Sequence, residues 1–217
     1  MVEITAALVK ELRDKTGAGM MDCKRALQEC GGSVEKAIEH LRKKGLKDIN
    51  KREGKTAAEG FIGVYSHHGG QIAAIVELNC ETDFVARGEE FQKLAHDLAM
   101  QVAAMNPRYC KIEDVPEEVL EKEKEIMFET LNEQQRKMAD KILPGKLKKF
   151  YEETVLYEQP FVKDESGKKT VKDVINELAM KIGEKITVRR FVRMRVGEGI
   201  EKKSEDLAEA VAAAIAE

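Results

Sequence analysis

The sequence predicts an α+β fold: an N-terminal module of three short helices, a basic linker, a small antiparallel sheet packed with helices, including a helical hairpin, and a C-terminal helix. Three observations carry this reading. Capped apolar stripes at helical spacing fill the first 46 residues. Two β-rich runs, 61–66 and 71–80, flank a His67-His68-Gly69-Gly70 turn. The next strand-like run, 186–196, follows only after a series of helical segments, so the sheet joins strands far apart in sequence.

In the module, Thr5 caps a helix with Leu8 and Leu12 on one face, and Ile4 precedes it as a staple. Gly17 and Gly19 form a turn that uses positive φ. A second helix carries Cys23, Ala26, Leu27 and Cys30 and stops at Gly31-Gly32. Ser33 caps the third, whose stripe is Val34, Ala37, Ile38 and Leu41, with Gly45 ending it. From Arg42 to Lys55, seven basic residues meet two acidic ones with almost no apolar pattern, which reads as a helix end entering a solvated linker over 47–58.

The core is expected over 59–200. In its second strand Ile72-Ala73-Ala74-Ile75-Val76 is apolar at successive positions, so both faces should be covered. Glu89 and Glu90 open a helix with the stripe Phe91, Leu94, Ala95, Leu98, Val102 and Met105, which Asn106-Pro107 ends. Pro116 suits the first position of an acidic helix, since Glu113–Glu133 holds nine acidic and two basic residues. The basic stretch Lys137–Lys149, interrupted at Pro144-Gly145, completes an antiparallel helical hairpin near 116–153. Thr170 and Asp173 form a capping box for a helix that Gly183 closes. In the last strand Val192, Met194 and Val196 face one way, and Arg189, Arg193 and Arg195 the other. Arg190 breaks the apolar side and marks a bulge or an edge. Ser204 caps a C-terminal helix over 201–217 with Leu207, Val211 and Ile215 on one face.

Composition narrows the function. The chain has 217 residues, 42% hydrophobic and 35% charged, which suits a folded soluble protein. Its 37 basic and 40 acidic residues balance, so no overall charge directs it to nucleic acid or a membrane surface. No apolar run approaches the ~20 residues that span a bilayer, and the start lacks a signal-peptide pattern; a cytoplasmic location is the expectation. Cys23, Cys30, Cys80 and Cys110 form no C-x-x-C pair, and no disulfide framework is expected. His67 and His68 read as a polar hairpin tip, because adjacent residues diverge and no third ligand lies nearby. Neither a metal nor a cofactor is expected.

Two segments stand out. In Thr16-Gly17-Ala18-Gly19-Met20-Met21-Asp22-Cys23-Lys24, adjacent methionines cannot both point into one core stripe. At least one is therefore expected at the surface, where its flexible, polarizable side chain suits a partner. In Asn79-Cys80-Glu81-Thr82-Asp83-Phe84-Val85-Ala86-Arg87, Phe84 follows the end of an apolar strand. It is either an anchor closing the strand–helix junction or a wedge projecting beside a carboxylate. Asp83 either caps the next helix or acts on a neighbouring molecule. Two other classes stay open: a thiol enzyme using Cys80 with His67 or His68, and an RNA-binding adaptor using the linker with Arg189, Arg193 and Arg195.

The Gly-Ala-Gly-Met-Met run and Thr82-Asp83-Phe84-Val85, about sixty residues later, resemble the signature and exchange motifs of the elongation factor Ts family. The strand Ile186-Thr-Val-Arg-Arg-Phe and Val196-Gly-Glu-Gly-Ile200 are similar too, so the resemblance spans essentially the whole chain. It implies a ubiquitin-associated (UBA-like) fold for the helical module. It also implies a non-enzymatic guanine-nucleotide exchange factor for the GTPase elongation factor Tu. In that reading Arg13, Met20 and Met21 dock on the GTPase, and Thr82, Asp83, Phe84 and Val85 form the exchange loop. Phe84 inserts by the magnesium and phosphate site, and Asp83 helps dislodge the arrangement supporting Mg²⁺. The terminal helix adds a second contact. No nucleotide binding by the factor itself is expected, in keeping with the missing G-x-x-x-x-G-K-[ST], and no direct contact with nucleic acid. Longer members carry two related core subdomains; this chain has one, which implies a homodimer, joined by the helical hairpin between Pro116 and Tyr151 or by the sheet edge.

Overall fold

A computed structural model describes residues 4–200, without the side chains of residues 46, 47, 49 and 50. Three helices open it: α1 (Ala6–Thr16), α2 (Met20–Glu29) and α3 (Val34–Arg52). Thr5 caps α1 by accepting the Leu8 amide at 3.4 Å, and Gly17 ends it with φ 66°. Gly19 is extended instead, at φ −60°, and serves as the N-cap of α2; only one of the two glycines needs positive φ. Val9, Leu12, Cys23, Ala26, Leu27 and Ala37 form the module's own small core.

Gly45 does not end α3. The helix runs on to Arg52, through much of the stretch that the sequence reads as linker. The glycine has a packing reason: a Cβ there would collide with the Met180 thioether. Met180 lies on α9 (Val171–Ile182), which crosses α3 at this point. A mid-helix glycine itself costs ~1 kcal/mol relative to alanine.

The sheet is antiparallel, in the order β1 (Glu59–Ser66), β2 (Ile72–Cys80), β3 (Thr187–Arg195). One short helix, α4 (Asp83–Ala86), leads into α5 (Glu89–Met105), which lies across one sheet face. Ala74, Val76, Leu78, Phe91, Leu94, Leu98, Val102, Ile175 and Val188 meet in the main core between them. Gly63 permits the contact, because a Cβ there would overlap the backbone carbonyl of Ala95. Gln101 and Gln159, both fully buried, are hydrogen-bonded to one another at 3.1 Å and tie the 159–162 segment to α5.

The opposite sheet face corrects the expectation that β2 is covered on both sides. Ile62, Val64, Ile75, Val192 and Met194 are all exposed there, with Val64, Ile75 and Val192 in one cross-strand row. The alternation of Val192 and Met194 is as expected, but it points away from the helices. Arg193 points toward them: its side chain is 10% exposed, and Nε donates to the Ala103 carbonyl at 3.2 Å. The last carbonyls of a helix lack partners and carry partial negative charge, so an arginine is well placed there.

The expected bulge is present, between Glu77 and Leu78 on β2 and Val188 and Arg190 on β3. It separates Arg189 from Arg193 and Arg195. Arg189 and Arg190 instead converge on Glu77, at 3.0 and 2.6 Å.

The hairpin comprises α6 (Glu117–Glu129), α7 (Glu133–Arg136) and α8 (Ala139–Thr154). Its ends pair antiparallel: Val115 clusters with Val155, and Lys146 Nζ donates to Thr130 at 3.2 Å. Pro144 does not interrupt α8. It lies near the helix start and removes one backbone hydrogen bond, to Asp140, while Leu143 and Leu147 pack on Met127 and Phe150. The helix expected from Ser204 lies outside the described residues.

Candidate functional site

Beyond β2 the chain turns sharply. Thr82 is extended, and its Oγ1 accepts the Val85 amide at 3.4 Å, capping the single turn of α4. The segment read from sequence as a loop is thus a capped helical turn. Thr82 is its N-cap, and Gly88 rather than Asp83 caps α5.

In this helical turn the anchor role falls to residues other than Phe84. Val85 and Ala86 face inward and join the main core. Phe84 faces outward and is 85% exposed. Asp83 is exposed beside it and pairs with Arg87 at 2.9 Å. A large aromatic left in water on an ordered turn forgoes the ~1.5–3 kcal/mol that its burial would contribute. Local packing gives no reason for that position.

The turn is fixed from the C-terminal end of α9. Glu184 Oε2 accepts the amides of Glu81 and Thr82, each at 3.1 Å, and Oε1 accepts the Thr82 hydroxyl at 2.7 Å. In return Glu81 Oε1 accepts the Lys185 amide at 2.7 Å and Arg52 Nη1 at 2.9 Å. The Lys185 amide and then Arg52 hold the Glu81 carboxyl below its usual range. Sequence reasoning gave no role to Glu81, Glu184 or Arg52. The one local signal is Glu184 directly after the Gly183 helix stop, and nothing in the sequence ties it to Thr82.

The other expected contacts lie on the helical module. Met20 and Met21 open α2 and are both exposed, the second at 69%; Arg13 is exposed on α1. Among the described residues, no hydrogen bond or ion pair joins this group to the Phe84 turn. Nearby, Lys181 of α9 packs along Gly17 and pairs with Glu90 of α5 at 2.7 Å.

The thiol-enzyme alternative fails on geometry. Cys80 is fully buried, and its Sγ donates to the Thr82 carbonyl at 3.1 Å. Burial first, then the nearby Glu184, pushes the thiol up to about 11, so it is protonated at neutral pH. His67 and His68 sit at the other end of the hairpin, beyond the start of the nine-residue β2, whose span is about 30 Å. The arginine face needed for the RNA alternative is dispersed, as described above. Among the described residues no three His, Cys, Asp or Glu side chains gather where they could hold a metal ion. No described helix is long and apolar enough to cross a membrane.

With this geometry in view, comparison with known proteins is decisive. The family model "Elongation factor TS" matches residues 2–168. The chain belongs to the elongation factor Ts family. It is 55% identical over 217 residues to the elongation factor Ts of Desulforamulus reducens, covering 99% of each chain. It is 59% identical over 204 residues to that of Moorella thermoacetica, covering 93% of this chain and all of the relative. With that of Carboxydothermus hydrogenoformans it shares 54% over 214 residues, 98% of both. The chain is therefore a translation elongation factor by family.

Proposed function

We propose that this chain is a guanine-nucleotide exchange factor that binds elongation factor Tu·GDP and promotes GDP release without covalent chemistry. The observation that carries the reading is the 85% exposed Phe84 on a turn fixed at both ends. Arg13, Met20 and Met21 dock the helical module on the GTPase. The Thr82–Val85 turn then enters beside the Mg²⁺ and phosphate site, with Phe84 as wedge and Asp83 acting on the arrangement that supports the ion.

The physics is linkage. GDP is held largely through its phosphates and Mg²⁺. A protein that prefers the distorted, nucleotide-poor GTPase weakens GDP binding by their coupling free energy, typically ~1–3 kcal/mol. A ten-thousandfold effect needs roughly 5.5 kcal/mol. Seating Phe84 in an apolar slot of the partner supplies ~1.5–3 kcal/mol of it.

Release of a fluorescent GDP from elongation factor Tu tests this. The parent chain accelerates release. Phe84→Ala, which removes almost no native contact, slows the maximal rate about ten- to a hundredfold. Met20→Ala with Met21→Ala raises the concentration needed and leaves the maximal rate nearly intact. A folded parent that does not accelerate release refutes the reading.

The factor acts as a homodimer whose interface is the open sheet face. Ile62, Val64, Ile75, Val192, Met194 and Val196 expose an apolar surface that a second copy of the same face would cover.

A further inference from the structure

The geometry points to Glu184 as the positioning residue of the Phe84 turn: its carboxylate holds Thr82 and so presents the wedge in its working orientation. The inference rests on the exchange reading for its functional half. Its structural half stands on hydrogen bonds alone.

Thr82 is where the turn can be controlled. Its amide and hydroxyl both donate to Glu184, its carbonyl accepts from Cys80 Sγ at 3.1 Å and from the Ala86 amide at 3.3 Å, and its Oγ1 caps Val85. Every polar atom of the residue that precedes Asp83 and Phe84 is thus engaged. A four-residue helix cannot hold itself, because nucleation fixes several residues for a single hydrogen bond. The order of the turn therefore comes from outside, from Val85 and Ala86 in the core on one side and Glu184 on the other. Three hydrogen bonds to one carboxylate are charge-assisted, the stronger class.

The clamp is reciprocal. Glu184 of the α9–β3 turn reaches the chain at residues 81 and 82, and Glu81 reaches back to the Lys185 amide. Because Glu81 also accepts from Arg52, the last residue of α3, the same pair joins the end of the helical module to the wedge. The end of the module and the Phe84 turn are thus linked through the Arg52–Glu81 ion pair. Neither Glu184 nor Glu81 needs to touch the partner. Each acts by raising the fraction of molecules whose turn is ready, and that fraction multiplies the rate.

The chain contains no tryptophan, so Phe84→Trp installs a single reporter on the turn. Its fluorescence anisotropy is read with Glu184 intact and with Glu184→Ala, and exchange is read in the Phe84 background. Circular dichroism and thermal melting confirm that each variant is folded, and Glu184→Gln provides a near-isosteric version if the alanine variant is not. The expected result is a fall in anisotropy together with about a tenfold slower maximal GDP release, while the half-saturating concentration stays within about twofold. Unchanged anisotropy in a folded variant overturns the clamp, whatever exchange does. A mobile reporter with undiminished maximal release overturns the positioning role. If the Phe84 parent itself fails to accelerate release, the exchange reading and the positioning role fall together, and the anisotropy still decides the clamp.

Discussion

Substituting Val192 by glutamate tests the sheet-face dimer where it is most exposed to refutation. Val192 lies in the row Val64–Ile75–Val192 and is 55% exposed, so the change removes few contacts within one chain. Six apolar side chains on this face are roughly half exposed. Full burial of such a side chain is worth about 1.5–3 kcal/mol, so completing it contributes roughly 1 kcal/mol each, or about 12 kcal/mol over a symmetric pair. Set against an association cost whose lower estimates are about 4 kcal/mol, this supports a dimer of micromolar strength, about 8 kcal/mol. A glutamate placed there brings one carboxylate per copy into a face that excludes water. The effective penalty is several kcal/mol per ion, so the dissociation constant rises about a thousandfold or more. Sedimentation equilibrium at tens of micromolar reads the outcome directly. The parent runs at twice the chain mass of 24.4 kDa and Val192→Glu at one mass, with unchanged circular dichroism. A monomeric parent, or a variant that stays dimeric, refutes the reasoning.

Two further predictions concern the fold. Gly63→Val places a side chain against the Ala95 carbonyl, where neither backbone can yield, and is expected to destabilise by about 3 kcal/mol or more in urea unfolding; a loss below about 1 kcal/mol contradicts the close packing of α5 on β1. Asp164 is held at about 2, below its ordinary 3.8, first by the Lys169 amide and next by the Ser166 hydroxyl. Since its folded value is lowered, its contribution to the 164–169 turn is complete above about pH 4 and disappears as pH falls toward 2. A carboxyl NMR titration is expected to find its midpoint near 2; a midpoint at the ordinary value contradicts the turn.

What the sequence revealed depended on how local its physics is. The Thr5 cap, the Thr170–Asp173 box, the Gly183 stop and the α5 stripe from Phe91 to Val102 each rest on residues within a few positions and are in place, while Met105 at the stripe's end is exposed. The failures share a different origin. Gly45 reads as a stop until Met180 is seen against it, and Arg193 reads only as lying opposite Val192 until the end of α5 supplies a carbonyl. Pro144 reads as a break until Leu143 and Leu147 are seen packed in the hairpin core. Glu184 is 102 residues from Thr82, and no spacing rule reaches that far. At the site, the sequence singled out the Thr82–Val85 segment but not the device that orders it.

Among the described residues, Phe84 and the open sheet face are two places where large apolar side chains stay in water on backbone that also carries core residues. In each case a neighbouring residue on the same backbone is buried. One residue along α4, Val85 is buried, and on the other side of the same strands Val76 and Leu78 are buried. Exposure here is therefore not a failure of a small core to reach these residues, because the backbone that carries them is already part of the core. A chain that spends three hydrogen bonds on a glutamate to hold an aromatic out of its own interior is stabilising a conformation whose return comes only from another molecule. For Phe84 that molecule must offer an apolar slot beside something that answers the adjacent Asp83 carboxylate. For the sheet it must offer a flat apolar face, and a second copy of this chain has one.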